Sequence, residues 1–126
     1  MLFQAELIQV HGMKDGMVQL PCNISNSPDD SIRIIFWFRN SIKSGPIYTI
    51  DARSSNLSFG THFAPFDTIA SKASFDYTSN PAYLTIDPLK EEDMDEYKCR
   101  VDFAKGRTLF TFVSLKVVGK YIINTL

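Results

Sequence analysis

The chain has 126 residues, a net charge of −1 at pH 7 and 13% aromatic residues, with Phe the commonest of them at 10. That length holds one domain with a real core but not two, and the near-zero charge excludes a whole-domain electrostatic attraction to nucleic acid or an anionic membrane. The 2 Cys are too few for a disulfide-dense scaffold and too far apart for a metal-ligand motif, and no apolar run approaches the ~18–20 residues of a membrane helix.

Short apolar and alternating runs separated by turn residues predict strands throughout. The first strand is expected over 5–10, with Gly12 and the Lys14-Asp15-Gly16 cluster turning the chain into a second over 18–24. In that second strand Val18, Leu20, Cys22 and Ile24 share one face, the period-2 signature of half-buried β structure. A loop over 26–30 precedes a strand over 32–38, and Ser44-Gly-Pro46 leads into another over 47–50. The polar stretch 54–60 is expected to hold a further short strand and its loop. Strands follow over 73–77 and 82–86, with 87–92 as a turn. The segment Asp93-Met-Asp-Glu-Tyr97-Lys-Cys99 opens a strand running to 103, and Ala104-Lys-Gly106 turns it into a last strand over roughly 108–118.

Spacing gives these strands a fold. Cys22, Trp37 and Cys99 occur in that order, with Tyr97 two residues before the second Cys. That pattern is the frame of an all-β immunoglobulin-like sandwich: two antiparallel sheets with Greek-key connections and an inter-sheet disulfide. Tyr97 is then a corner tyrosine whose hydroxyl returns to the preceding backbone. Asp93 and Trp37 complete the core signature, and Lys72 is placed to pair with Asp93. The chain between the cysteines has room for two extra strands, which favours the variable type over the constant type. A Cys22–Cys99 disulfide closes a loop long enough to be worth ~4.5 kcal/mol in the chain-entropy model, and it implies an oxidising, extracellular compartment. The start, Met1-Leu-Phe-Gln-Ala-Glu6, has neither the basic nor the apolar region of a secretory signal. The sequence therefore reads as a piece of a longer extracellular protein, with a domain over 1–118 and a tail over 119–126.

The same residues argue against chemistry. His11 and His62 have no carboxylate or Cys at ligand spacing, and no phosphate-binding glycine loop or nucleophile elbow occurs. Both histidines read as surface residues. The acidic run Glu91, Glu92, Asp93, Asp95, Glu96 lacks the ordered ligands and glycine of a calcium loop. No catalytic, cofactor or metal residue is expected. Asn23-Ile-Ser25 and Asn56-Leu-Ser58 are sequons, making Asn23 and Asn56 candidate N-glycosylation sites.

One pattern breaks the rule that an exposed sheet face is polar. With Trp37 and Ile35 inward, alternation sends Ile34, Phe36 and Phe38 outward; with Val113, Leu115 and Val117 inward, it sends Phe110 and Phe112 outward. Between them Lys98, Arg100 and Asp102 face out, and Tyr48 is expected as a neighbour. An aromatic strip carrying Arg and Asp has the composition of a protein–protein interface.

The segments Leu20-Pro-Cys-Asn-Ile24, Phe36-Trp-Phe-Arg39, Gly45-Pro-Ile-Tyr48, Asp51-Ala-Arg53, Pro81-Ala-Tyr-Leu-Thr-Ile86 and Glu96-Tyr-Lys-Cys-Arg-Val-Asp-Phe103 resemble the first immunoglobulin domain of the Sidestep family of arthropod neuronal surface receptors. The resemblance covers about 5–118. It implies a domain of a single-pass membrane protein, without cofactors, that binds Beaten-path-type immunoglobulin proteins in axon guidance and synaptic partner choice. The contact would lie on the face made by the strands over 32–38 and 47–50 and the two C-terminal strands. A homophilic adhesion domain, with weak self-association through that face, and a secreted immune-type binding module are the alternatives. Asp95 departs from the pattern, standing where such corners carry a small residue, and 119–126 is unlike a Pro-rich link to a second domain.

Overall fold

The computed structural model describes residues 7–119. It contains nine strands: β1 Leu7–Met13, β2 Val18–Cys22, β3 Ile32–Arg39, β4 Tyr48–Asp51, β5 Thr61–Phe63, β6 Ala73–Asp76, β7 Ala82–Ile86, β8 Asp95–Phe103 and β9 Leu109–Val118. The part of the first expected strand at 5–6 and the tail beyond Gly119 lie outside the described residues.

The strands form a 6-stranded sheet, β1-β9-β8-β3-β4-β5, facing a 3-stranded sheet, β2-β7-β6. This is the variable-type immunoglobulin sandwich, with the two extra strands β4 and β5 extending the larger sheet. β1 pairs in parallel with β9, from Leu7 opposite Phe112 to Met13 opposite Val118. Cys22 and Cys99 join the sheets with Cα atoms 5.8 Å apart. Leu20, Trp37, Leu84, Val101 and Val113 are buried around the disulfide, and the Phe75 ring meets Trp37 edge-on at 6.3 Å.

Several boundaries differ from the sequence reading for local reasons. Gly12 does not turn; it stays in β1, where a Cβ would meet Leu89 Cδ2 at 2.5 Å. The turn itself sits at Asp15, whose φ of 70° is left-handed. The short strand expected within 54–60 comes later, at β5: Asn56 instead caps a 3₁₀ turn, Leu57–Phe59, by accepting the Ser58 N–H. A four-residue helix, Asp67–Ala70, buries Ile69 before β6.

The corner before β8 is built as its spacing predicts. The Tyr97 hydroxyl donates to the Asp93 carbonyl at 2.5 Å, and Lys72 Nζ lies 2.6 Å from Asp93 Oδ2. Asp95, the residue departing from the family pattern, accepts from Arg39 Nε at 2.9 Å and from the Ser41 N–H at 3.2 Å. Arg39 also bonds the Glu92 carbonyl, so the guanidinium ties β3 to the corner through two partners.

Candidate recognition face

Cross-strand register decides which side chains share the outer face of the 6-stranded sheet, because directly opposed residues point the same way. On β3, Trp37 lies opposite Cys99 and Ile35 opposite Val101, all of them buried. The intervening positions therefore face out in rows. Phe38 is opposite Lys98, which is opposite Phe112; Phe36 is opposite Arg100, which is opposite Phe110; Ile34 is opposite Asp102. The face has Ile34, Phe36, Phe38, Lys98, Arg100, Asp102, Phe110 and Phe112 together, as alternation predicts.

Tyr48 does not belong to it. It lies opposite Trp37, and it is buried with its ring 6.2 Å from Phe75. A residue paired with an inward tryptophan must itself point inward, so the expectation that Tyr48 joins the outer strip is corrected. Burial pushes the Tyr48 hydroxyl's pKa up, and that hydroxyl bonds His62 Nδ1 at 2.7 Å. Both histidines are exposed, but His62 thereby ties the edge strand β5 to the core.

The same register brings in residues that sequence reading missed. Thr49 is opposite Phe36, Phe63 is opposite Thr49, and Asp51 is opposite Ile34. Phe63 is 61% exposed and Phe59, on the adjoining turn, 76%. Their signal is weak in sequence because β5 has only three residues and follows a polar stretch; the alternation of Thr61-His-Phe63 becomes readable only once β4 is in register.

Charge on this face is held against rings. Lys98 Nζ stands 4.8 Å from the Phe38 centroid and 5.7 Å from that of Phe110. Arg100 lies 5.7 Å from the Phe36 centroid and reaches Asp102 through two bonds, at 3.0 and 3.1 Å. Thr108 donates its hydroxyl to Asp102 at 2.9 Å. At the rim, the side-chain hydrogen bond from Arg53 holds the Asp51 carboxyl down at about 2. Phe110 and Phe112 stack with centroids 6.2 Å apart, and both remain exposed. A groove of about 380 Å³, lined by Phe112 but not by Phe110, opens between Phe38, Ile42, Gly45, Glu96, Lys98 and Phe112. Cations over aromatic faces keep their attraction while half-desolvated, so Lys98 and Arg100 stay held against the rings of this face.

Elsewhere the described residues hold no group of three or more His, Cys, Asp or Glu placed to bind a metal. No helix among them is long and apolar enough to cross a membrane. Asn23 and Asn56 are both exposed, and their amide oxygens accept from Ser25 N and Ser58 N, so both sequons sit in surface turns.

Comparison with known proteins agrees with this geometry. The family model of the immunoglobulin V-set domain matches residues 8–118. No curated protein matches the sequence. Among solved structures, the first Ig-like domain of human CD48 antigen is similar at 20% identity and a TM-score of 0.73, covering 100% of this chain and 93% of that one. The extracellular domain of the voltage-gated sodium channel beta4 subunit, described as forming parallel homodimers that explain its role in cell–cell adhesion, is similar at 14% identity and a TM-score of 0.71, covering 96% and 98%. Murine CRIg is similar at 17% identity and a TM-score of 0.69, covering 87% and 92%.

Proposed function

The chain belongs to the immunoglobulin V-set family, and we propose that it is an extracellular recognition module that binds another immunoglobulin-superfamily domain through the outer face of its larger sheet. V-set domains are typically non-enzymatic binding modules of extracellular or cell-surface proteins, and neighbours of this fold include a cell-adhesion molecule. The observation that carries the proposal is the aromatic strip: Phe110 at 44% and Phe112 at 36% exposure stack beside cations held over Phe36 and Phe38. A sheet face that only met water would carry polar residues at these positions. Phe36, Phe38, Phe110 and Phe112 act as apolar anchors; Lys98, Arg100 and Asp102 set register and charge matching. Phe63 and Thr49 extend the face toward its edge.

The finer reading is a Beaten-path-type partner on an opposing cell, with this domain carried by a single-pass receptor in axon guidance and synaptic partner choice. It rests on the resemblance of the Gly45–Tyr48, Asp51–Arg53 and Glu96–Phe103 segments to Sidestep first domains. Asn23 and Asn56 would carry glycans there. The test is a binding screen of the secreted chain against a panel of extracellular immunoglobulin proteins. Heterophilic hits confined to Beaten-path-type proteins support the finer reading; hits elsewhere in the superfamily support only the coarser one; an absence of any immunoglobulin-domain binder contradicts both.

A further inference from the structure

We infer that Phe59 is an aromatic platform for a glycan on Asn56, whose first N-acetylglucosamine lies with its C–H face on the exposed ring. The inference rests on the extracellular reading above and adds what holds the sugar. Phe59 is 76% exposed, the most exposed large hydrophobic among the described residues. The turn around it leaves it so. Leu57 packs against the core, the Tyr77 hydroxyl donates to the Ser58 carbonyl at 3.4 Å, and at Gly60 a Cβ would meet Ile50 Cγ2 at 2.6 Å. With the turn pinned at those points, the Phe59 ring is left to solvent.

The sequon lies on the same turn. Asn56 Oδ1 accepts from the Ser58 N–H at 3.1 Å and from the Ser58 hydroxyl at 2.5 Å. Both bonds fall on the oxygen, so Nδ2, the atom that carries an N-glycan, points away from the turn. The Phe59 N–H donates to the Asn56 carbonyl at 3.0 Å, and a 3₁₀ turn brings residues i and i+3 into line, about 6 Å apart along its axis. A pyranose ring on Nδ2 spans that step, and its polarised C–H groups meet the negative face of the phenyl ring. Attachment takes a lipid-pyrophosphate-linked oligosaccharide as donor: the Nδ2–C1 bond forms, the bond from C1 to the pyrophosphate oxygen breaks, Nδ2 gives up one proton and the lipid pyrophosphate leaves. A sugar held there covers apolar surface that a secreted domain otherwise exposes. Asn23 is the internal comparison. Its Oδ1 accepts the Ser25 N–H at 2.9 Å in the same way, but three residues on stands Asn26, which offers no ring.

The full chain, secreted from eukaryotic cells behind an added signal sequence in an Asn23→Gln background and trimmed by endoglycosidase to one N-acetylglucosamine, tests this. Peptide mapping should find Asn56 occupied, and proton NMR should find the sugar's ring protons shifted upfield by the phenyl face. Phe59→Ala should return those resonances to their free positions, whereas Phe59→Trp should keep them shifted. Melting curves give a second readout. Ser58→Ala removes the sequon while Asn56 can still accept the backbone N–H at 58. Phe59→Ala should lower the Tm of the sugar-bearing chain by about 2–5 °C more than it lowers that of the Ser58→Ala chain. An unoccupied Asn56, sugar resonances at their free positions, or equal Tm losses with and without the sugar overturns the inference. If the chain in any of those cases still captures an immunoglobulin partner in the screen, only the platform fails. If Asn56 is occupied and the resonances are shifted, yet no immunoglobulin partner binds, the platform stands and the recognition reading fails.

Discussion

Lys72 Nζ lies 2.6 Å from Asp93 Oδ2, and the same oxygen accepts the Lys90 backbone N–H at 2.8 Å. The Asp93 side chain is 3% exposed and also has Arg39 Nη1 at 4.0 Å. One carboxylate thus joins the loop before β6, the turn before β8 and the end of β3. Removing one partner of a buried pair leaves the others uncompensated, so Asp93→Ala should destabilise the fold by about 3–5 kcal/mol. Urea denaturation at neutral pH measures this; a loss below ~1 kcal/mol contradicts it.

Tyr97→Phe removes only the hydroxyl that reaches the Asp93 carbonyl. The expected cost is about 1 kcal/mol or somewhat more, for a buried acceptor left without its donor. The outward residues on either side, Glu96 and Lys98, keep their positions, so partner affinity of the folded fraction should be unchanged. A thermal or urea melt alongside a titration separates the two effects.

Acid should weaken the Asp95 contact. Burial acts to raise this carboxyl, but hydrogen bonds from Ser41, Arg39 and Glu96 outweigh it and leave the group below the ordinary value. A carboxylate whose folded pKa is depressed stabilises the fold above its unfolded pKa of ~3.9 and loses that contribution as pH falls through the folded value. Asp95→Asn should therefore be less stable than the wild type at pH ~5–7, and the gap should narrow as pH drops below ~4. Parallel melts of the two proteins across that range test the sign; a gap that widens in acid contradicts it.

Tyr48 and Phe110 should respond oppositely. Tyr48 is buried against Phe75 and bonded to His62, so Tyr48→Ala should cost roughly 3 kcal/mol of stability. Phe110 is 44% exposed, and Phe110→Asp should stay within about 1 kcal/mol of the wild type. Phe38→Asp is a less clean probe, because Phe38 is half-buried and Lys98 stands on its ring. Melting curves of the Tyr48 and Phe110 variants settle the order.

The sandwich was legible in the sequence because its frame depends on residues with few substitutes. A disulfide, a core tryptophan and a corner tyrosine need particular spacings, and Lys72–Asp93 followed from that layout. The outer strip was legible on β3, β8 and β9 because each is long enough for alternation to fix two faces. It was misread on β4, where four residues give either phase and only pairing with Trp37 decides that Tyr48 turns inward. The parallel pairing of β1 with β9 has no local signal, since either sheet could take a strand of that composition. Asp95, a departure from the family pattern in sequence, gains its reason only when Arg39 is seen beside it.

The most direct measurement is the equilibrium affinity of the Phe110→Asp chain for the immunoglobulin partner identified by screening, with the wild type alongside and melting curves as the folding control. The face reading predicts binding weakened at least ~100-fold, about 2.7 kcal/mol or more as for a hot-spot anchor, at unchanged fold stability. Equal affinities from two equally folded proteins would contradict it.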